Sequence, residues 1–179
     1  MKNRQSQGFT LIELIIVIVI LGILAVTAGP KLIGISSDAR ISILQGIQGA
    51  MKSSMSMTLS YGHVQGVTNA LNQDLTLPNG EVVRLDYGYP EHSWETAWQQ
   101  MLEGDFELKS SGGICDGDAD LCVDSDFNIG GDVSVAGSSS AMVIWPNGVS
   151  TADNCYVYYA YSAASRGNEP VIGAILDGC

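Results

Sequence analysis

The spacing of apolar residues changes twice along this chain. From Phe9 to Ala28 nearly every position is apolar and Glu13 carries the one charge. An uninterrupted run of about twenty such residues is long enough to cross a bilayer as a helix. Beyond Pro30 the pattern turns one-sided. Leu44, Ile47, Met51, Met55 and Leu59 recur at helical intervals, marking a helix that covers a core with a single stripe. Pro30 removes a backbone donor and crowds the turn before it, so a kink is expected there. Gly22, Gly34, Gly46 and Gly49 add weak or close-approach points.

After Ser60 the period shortens to that of strands. Glu81 to Asp86, Ala141 to Trp145, Tyr156 to Tyr161 and Val171 to Leu176 have strand character, with Pro78-Asn79-Gly80 and Pro146-Asn147-Gly148 as turns beside them. Trp94, Ala97, Trp98, Met101 and Leu102 form an amphipathic helical face, with Ser93 as its N-cap and Gly104 as its stop. Gly130 to Ser140 is rich in glycine and serine and is expected to be an exposed loop. The expected fold is α+β: a long N-terminal α-helix, transmembrane in its first half, packed at its second half against a C-terminal antiparallel β-sheet.

Charge narrows the function. The formal net charge is −11, and residues 61–179 carry 17 acidic and 3 basic side chains, a net of −14. Such a surface repels phosphate, so direct nucleic acid binding is not expected. The two histidines, His63 and His92, are isolated, and the serines lack a nucleophile motif. No enzyme is expected.

The leader before the apolar run holds Lys2 and Arg4 and no acid, which keeps it on the cytoplasmic side while the run enters the bilayer. A secretory signal is cut after its apolar core. Here the small-residue cut, at Gly8, precedes the core and leaves the helix on the mature chain with Phe9 at its tip. Gly8-Phe9-Thr10-Leu11-Ile12-Glu13, the short charged leader and Pro30 together resemble the type IV prepilins, of the type IVa kind, and their pseudopilin relatives. The resemblance implies the type IV pilin fold, with a leader over 1–8, a hydrophobic polymerisation helix over 9–36 and a globular head over 37–179. It also implies cleavage between Gly8 and Phe9 by a prepilin peptidase, N-methylation of Phe9, and polymerisation of the subunit with itself by the pilus assembly machinery. The subunit would wait in the bacterial inner membrane, N-terminus cytoplasmic and head periplasmic, before joining an extracellular pilus.

Tyr87-Gly88-Tyr89-Pro90, Cys155-Tyr156-Val157, Cys179, Gln45-Gly46-Ile47 and Asp38-Ala39-Arg40 are similar to the mannose-sensitive haemagglutinin pilins. That similarity implies adhesion, to surfaces and host glycans; Trp94, Trp98, Trp145 and the tyrosines are the rings available for stacking on sugars. A minor pilin or a type II secretion pseudopilin is the alternative within this architecture. A membrane-anchored glycan-binding module or enzyme that never polymerises is the alternative outside it.

Glu13 makes physical sense in an assembly. A carboxylate inside a membrane helix costs roughly 2.5 to 3.5 kcal/mol on insertion scales, so it needs a partner. The freed Phe9 amine of a neighbouring subunit is the nearest candidate, and pairing with it would set the axial register of the two subunits. The other reading is a carboxylate that snorkels to the headgroups.

Cys115, Cys122, Cys155 and Cys179 allow three connectivities, among which the sequence does not choose. Export favours oxidation, and a local pair plus a distal pair is the simplest scheme. The pilin resemblance implies a Cys155–Cys179 bridge bounding a C-terminal loop, with Cys115–Cys122 as the other. Secretion pseudopilins often lack the C-terminal bridge. Zinc competes, without paired C-x-x-C elements in its favour. Asp116, Asp118 and Asp120, followed by Asp124 and Asp126, have the alternating oxygens that calcium uses. An EF-hand fails, with Leu121 at the sixth position and Phe127 at the twelfth. Calcium at Asp116, Asp118 and Asp120 is one reading, and a solvated acidic loop is the other; no further cofactor is expected.

The peptidase must bring backbone close at the cut, so Gly8→Val is expected to leave uncleaved precursor in the membrane. Mass spectrometry of the mature subunit checks it, and an intact leader on the wild-type mature chain would refute it.

Overall fold

The computed structural model describes residues 10–128, 140–161 and 169–179, with backbone alone at 28–35 and 140. Gly8, Phe9, the side chain of Pro30 and most of the loop expected over Gly130 to Ser140 lie outside the described residues. The chain divides into two compact units, Met1–Ala39 and Arg40–Cys179, and one helix, α1 (Leu11–Gln65), contributes to both.

In the first unit every side chain of α1 from Leu11 to Thr27 is exposed: Leu11 is 74% accessible, Ile16 52%, Leu21 58% and Val26 77%. A helix that is apolar all round has no face suited to water and is covered by lipid or by other helices. Among the described residues no helix is long and apolar enough to cross a membrane; the side chains of α1 are described from Leu11 to Thr27 and again from Ser36 onward.

In the second unit α1 is one-sided. Leu44, Met51 and Thr58 are buried and Ile47, Met55 and Leu59 half-buried, while Gln45, Gly49, Lys52, Ser53 and Ser56 are exposed. The buried stripe belongs to a core with Leu75, Leu85, Trp98, Trp145 and Tyr159.

Two sheets share that core. The smaller is an antiparallel meander of β1 (Gln73–Thr76), β2 (Val82–Asp86) and β3 (Tyr89–Pro90). Its second turn is Tyr87-Gly88, with φ of 51° and 91°, the paired left-handed residues of a tight hairpin. The larger has the order β4 (Phe106–Leu108), β5 (Leu121–Asn128), β6 (Ser140–Pro146), β7 (Tyr156–Ala160) and β8 (Val171–Ile175). All its neighbours are antiparallel except β4 and β5, which run parallel.

Two local differences from the sequence reading have physical causes. The helix expected from Trp94 to Leu102 is a series of turns with one 3-10 turn at Trp98–Gln100. Its apolar spacing still buries Trp94, Ala97, Trp98 and Leu102. The Thr96 carbonyl, however, accepts the Arg84 amide of β2 at 2.9 Å, which diverts it from a helical ladder. The acidic stretch read as a loop as far as Asp126 becomes strand from Leu121 onward. Leu121 to Asp124 are buried in succession because β5 sits between two neighbours with both faces covered. Ser125 and Asp126 then bulge, with Asp124 opposite Val143 and Phe127 opposite Ala141.

Aromatic side chains join the sheets. The Tyr159 hydroxyl donates to the Pro90 carbonyl at 2.6 Å and the Tyr161 hydroxyl to that of Asp86 at 3.2 Å. Trp98 meets Tyr159 edge-on, centroids 4.7 Å apart. Such a pair is worth about 0.5–1.5 kcal/mol beyond area burial.

Burial lifts both phenols, Tyr159 well above its ordinary value and Tyr161 to about 12, with Asp86 nearby adding to each. A group whose folded value is raised contributes stability that is full below the unfolded value, about 10, and lost as pH rises through the folded one. The second unit is therefore expected to hold to about pH 10 and to loosen toward pH 12. Phenolate absorbance should show two of the seven tyrosines ionising late, together with the loss of tryptophan burial. Ionisation of all seven ahead of unfolding would refute it.

Candidate assembly site

Helix α1 starts on a reciprocal cap. Thr10 precedes its first turn, and its hydroxyl accepts the Glu13 amide at 3.4 Å. Glu13 Oε2 in turn accepts the Thr10 amide at 3.0 Å and the Thr10 hydroxyl at 2.8 Å. This is a capping box, Thr-x-x-Glu, which satisfies amides that helix geometry leaves open and is worth about 1 kcal/mol. Thr10 was not singled out from the sequence; a threonine three residues ahead of a glutamate, before an apolar run, is the signal that finds it. Glu13 thus sits in the first turn, its carboxylate fixed by its own helix, with apolar side chains following on every side.

The far end of the chain is fastened differently. Of the three connectivities open to four cysteines, the structure has Cys155–Cys179 and Cys115–Cys122, with Cα separations of 4.8 and 5.7 Å. The Gly178 amide donates to the Asn154 carbonyl at 3.2 Å, and a Cβ on Gly178 would fall 1.6 Å from the Asp153 carbonyl oxygen. Only glycine lets the C-terminal segment lie this close to the turn ahead of β7. That turn is itself capped: Asp153 Oδ2 accepts the Ser150 amide at 2.8 Å and the Ser150 hydroxyl at 2.9 Å. These bonds hold the Asp153 carboxyl below the usual carboxylate range.

The loop closed by Cys115–Cys122 is organised from inside by Asn147, which reading Pro-Asn-Gly as a mere turn overlooks. Asn147 Nδ2 donates to the Gly117 carbonyl at 2.8 Å and the Ala119 carbonyl at 2.7 Å, and its amide donates to Asp120 at 3.0 Å. Carbonyls of the kind calcium would use are thereby occupied. Lys109 pairs with Asp116, holding the carboxyl below and the ammonium above their ordinary values through their hydrogen bond. Asp118 and Asp120 are exposed. Asp124 is buried on β5, its carboxylate accepting the amides of Asp126 at 3.0 Å and Gly112 at 3.3 Å. Among the described residues no three His, Cys, Asp or Glu side chains gather as a metal site.

The remaining sequence candidates scatter. His63 lies exposed in the last turn of α1, and His92 Nε2 lies 3.6 Å from Asp126 Oδ1. Trp94, Trp98 and Trp145 are buried, so none offers a ring face to a sugar.

A capped apolar helix exposed on all sides, leading into an α+β unit, defines a subunit of the pilin-like class. Residues 3–29 match the family described as the prokaryotic N-terminal methylation motif, a span that contains Gly8, Phe9, Thr10 and Glu13. The chain is 31% identical over 140 residues to the type II secretion system core protein G of Pseudomonas aeruginosa, covering 68% of this chain and 96% of that protein. It is 31% identical over 115 residues to the protein of that description from Aeromonas hydrophila, covering 59% of this chain and 80% of the relative. No solved structure matches it significantly. The chain belongs to the type IV pilin-like proteins with an N-terminal methylation motif, the family of type II secretion system core protein G.

Lys109 takes Asp116, the first of the three alternating carboxylates, while Asp118 and Asp120 are exposed. Millimolar calcium is expected to leave the melting temperature of the full chain unchanged. A rise of several degrees that Asp118→Asn abolishes would overturn this.

Proposed function

We propose that this chain is a structural, non-catalytic subunit that polymerises with itself through α1, and that its fibre is the pseudopilus of a type II secretion system. A prepilin peptidase cuts between Gly8 and Phe9, and the Phe9 amine is methylated. Before assembly the subunit waits in the inner membrane, N-terminus cytoplasmic and head periplasmic. In the fibre Glu13 of one subunit meets the Phe9 amine of the next. The similarity that carries this reading is to core protein G, over 96% of the Pseudomonas aeruginosa relative. The sequence reading placed a surface pilus for attachment first, and those relatives favour the secretion fibre instead.

One observation favours the adhesive pilus as a second reading. The Cys155–Cys179 bridge bounds a C-terminal loop of the kind attachment pilins carry. In that case mannose-sensitive haemagglutinin pilins are the models, and surface glycans are the partners.

Deleting the gene and restoring it with Glu13→Ala separates the possibilities. The deletion is expected to stop release of secreted enzymes into the medium, and Glu13→Ala to insert normally yet fail to restore release. Normal secretion in the deletion, with loss of sheared surface fibres and of attachment, would transfer the assignment to the adhesive pilus. Normal fibre numbers from Glu13→Ala would refute the Phe9 pairing.

A further inference from the structure

The tripeptide Pro-Asn-Gly occurs twice in this chain, at 78–80 and at 146–148, and the two copies stand in opposite surroundings. The first forms the turn between β1 and β2. Residues 78–81 are all exposed there, and nothing lies within 4 Å of where a Cβ on Gly80 would stand. The second is built into the loop closed by Cys115–Cys122. Asn147 Nδ2 donates to the Gly117 carbonyl at 2.8 Å and the Ala119 carbonyl at 2.7 Å, and the Gly148 amide donates to the Cys115 carbonyl at 2.7 Å.

An asparagine that precedes glycine is placed to react with its own backbone, because glycine has no side chain to screen the nitrogen that follows. In the first step the glycine nitrogen gives its proton to solvent and bonds to the asparagine Cγ. The Cγ–Nδ2 bond then breaks, and Nδ2 leaves as ammonia after taking a proton from solvent. A five-membered cyclic imide remains, and water opens it at either carbonyl to give aspartate or its β-linked isomer. One water is consumed and one ammonia released.

The turn at Asn79 suits this addition. Asn79 Oδ1 accepts the Glu81 amide at 3.2 Å, which folds the side chain back along the peptide that carries the Gly80 nitrogen. The same donor stabilises the oxygen as it becomes negative. Gly80, at φ 89°, gives its amide to the Leu77 carbonyl at 2.9 Å, across a turn whose exposed tip lets water replace that bond. Asn147 is held differently. To lose ammonia it must abandon two carbonyls, and both would be left without this donor.

We propose that Asn79 is a self-modifying site of the folded chain, converted through the cyclic imide, and that Asn147, in the same tripeptide, is protected by the bonds it makes. Each conversion adds one negative charge to the β1–β2 turn. Asn79 Nδ2 donates to Glu81 Oε2 at 3.2 Å, so the new carboxylate replaces a donor with a repelling neighbour. Older copies of the chain thus differ from newer ones in charge.

The test incubates the folded, disulfide-bonded full chain in detergent at mildly alkaline pH and follows both tripeptides by peptide mass mapping, with fragmentation that separates aspartate from its β-linked isomer. Both products are expected at position 79, accumulating at least about tenfold faster than at 147. In the reduced chain unfolded in denaturant the two sites should react within about twofold of each other. An Asn79 that stays intact in the folded chain, or an Asn147 that keeps pace with it, would overturn the proposal. So would a rate difference that survives unfolding, since the bonds made by Asn147 would then not be its cause. As a second arm, isoelectric focusing should show an acidic form that grows with time in the wild-type chain and is lost in Asn79→Ser; an acidic form growing equally in Asn79→Ser would also refute the assignment.

Discussion

Helix α1 meets two kinds of surroundings along one stretch of backbone, and the rest of the molecule follows from how each half is covered. Up to Val26 its described side chains are apolar on nearly every side and exposed. From Leu44 onward it buries one stripe and leaves the other faces to polar and small residues. Backbone hydrogen bonding imposes no change between these regimes, since a helix satisfies its own amides in lipid or in water. Only the side chains change, and they divide the labour into a segment that requires other molecules and one that organises a core of its own.

Within the second unit the sheets are joined by side chains as well as by the helix they share. Tyr159 is the clearest example, its ring against Trp98 and its hydroxyl on the Pro90 carbonyl. A phenol does both because its body is apolar and its tip polar. Removing the ring would open a cavity; removing only the hydroxyl would leave the Pro90 carbonyl buried without this donor.

The long helix and four of the strands were legible because their signals are local: helical spacing at Leu44 and Met51, and apolar runs such as Ala141 to Trp145 and Tyr156 to Tyr161. Strand β5 was hidden because Asp124, Ser125, Asp126 and Asn128 are poor strand formers, and pairing with β6 overrides that preference. The short helix at Trp94 was misread for a related reason. Its spacing reports which residues are buried, but the Thr96 carbonyl that would continue the helix is taken by the Arg84 amide of β2. At the start of α1 Glu13 stood out as a charge among apolar residues, whereas Thr10 did not, because its capping role exists only through the pair. Asn147 shows the same limit, since its three carbonyl partners lie across a loop whose shape the sequence does not reveal.

The cap at the head of α1 bears on timing. A bare carboxylate loses all its water on entering a bilayer, but Glu13 carries two donors from Thr10 with it and so gives up less. A subunit with that internal arrangement can be held in reserve before a neighbour arrives. The hydrogen bonds that begin the helix would then help determine the size of the stockpile from which a fibre can be drawn at short notice.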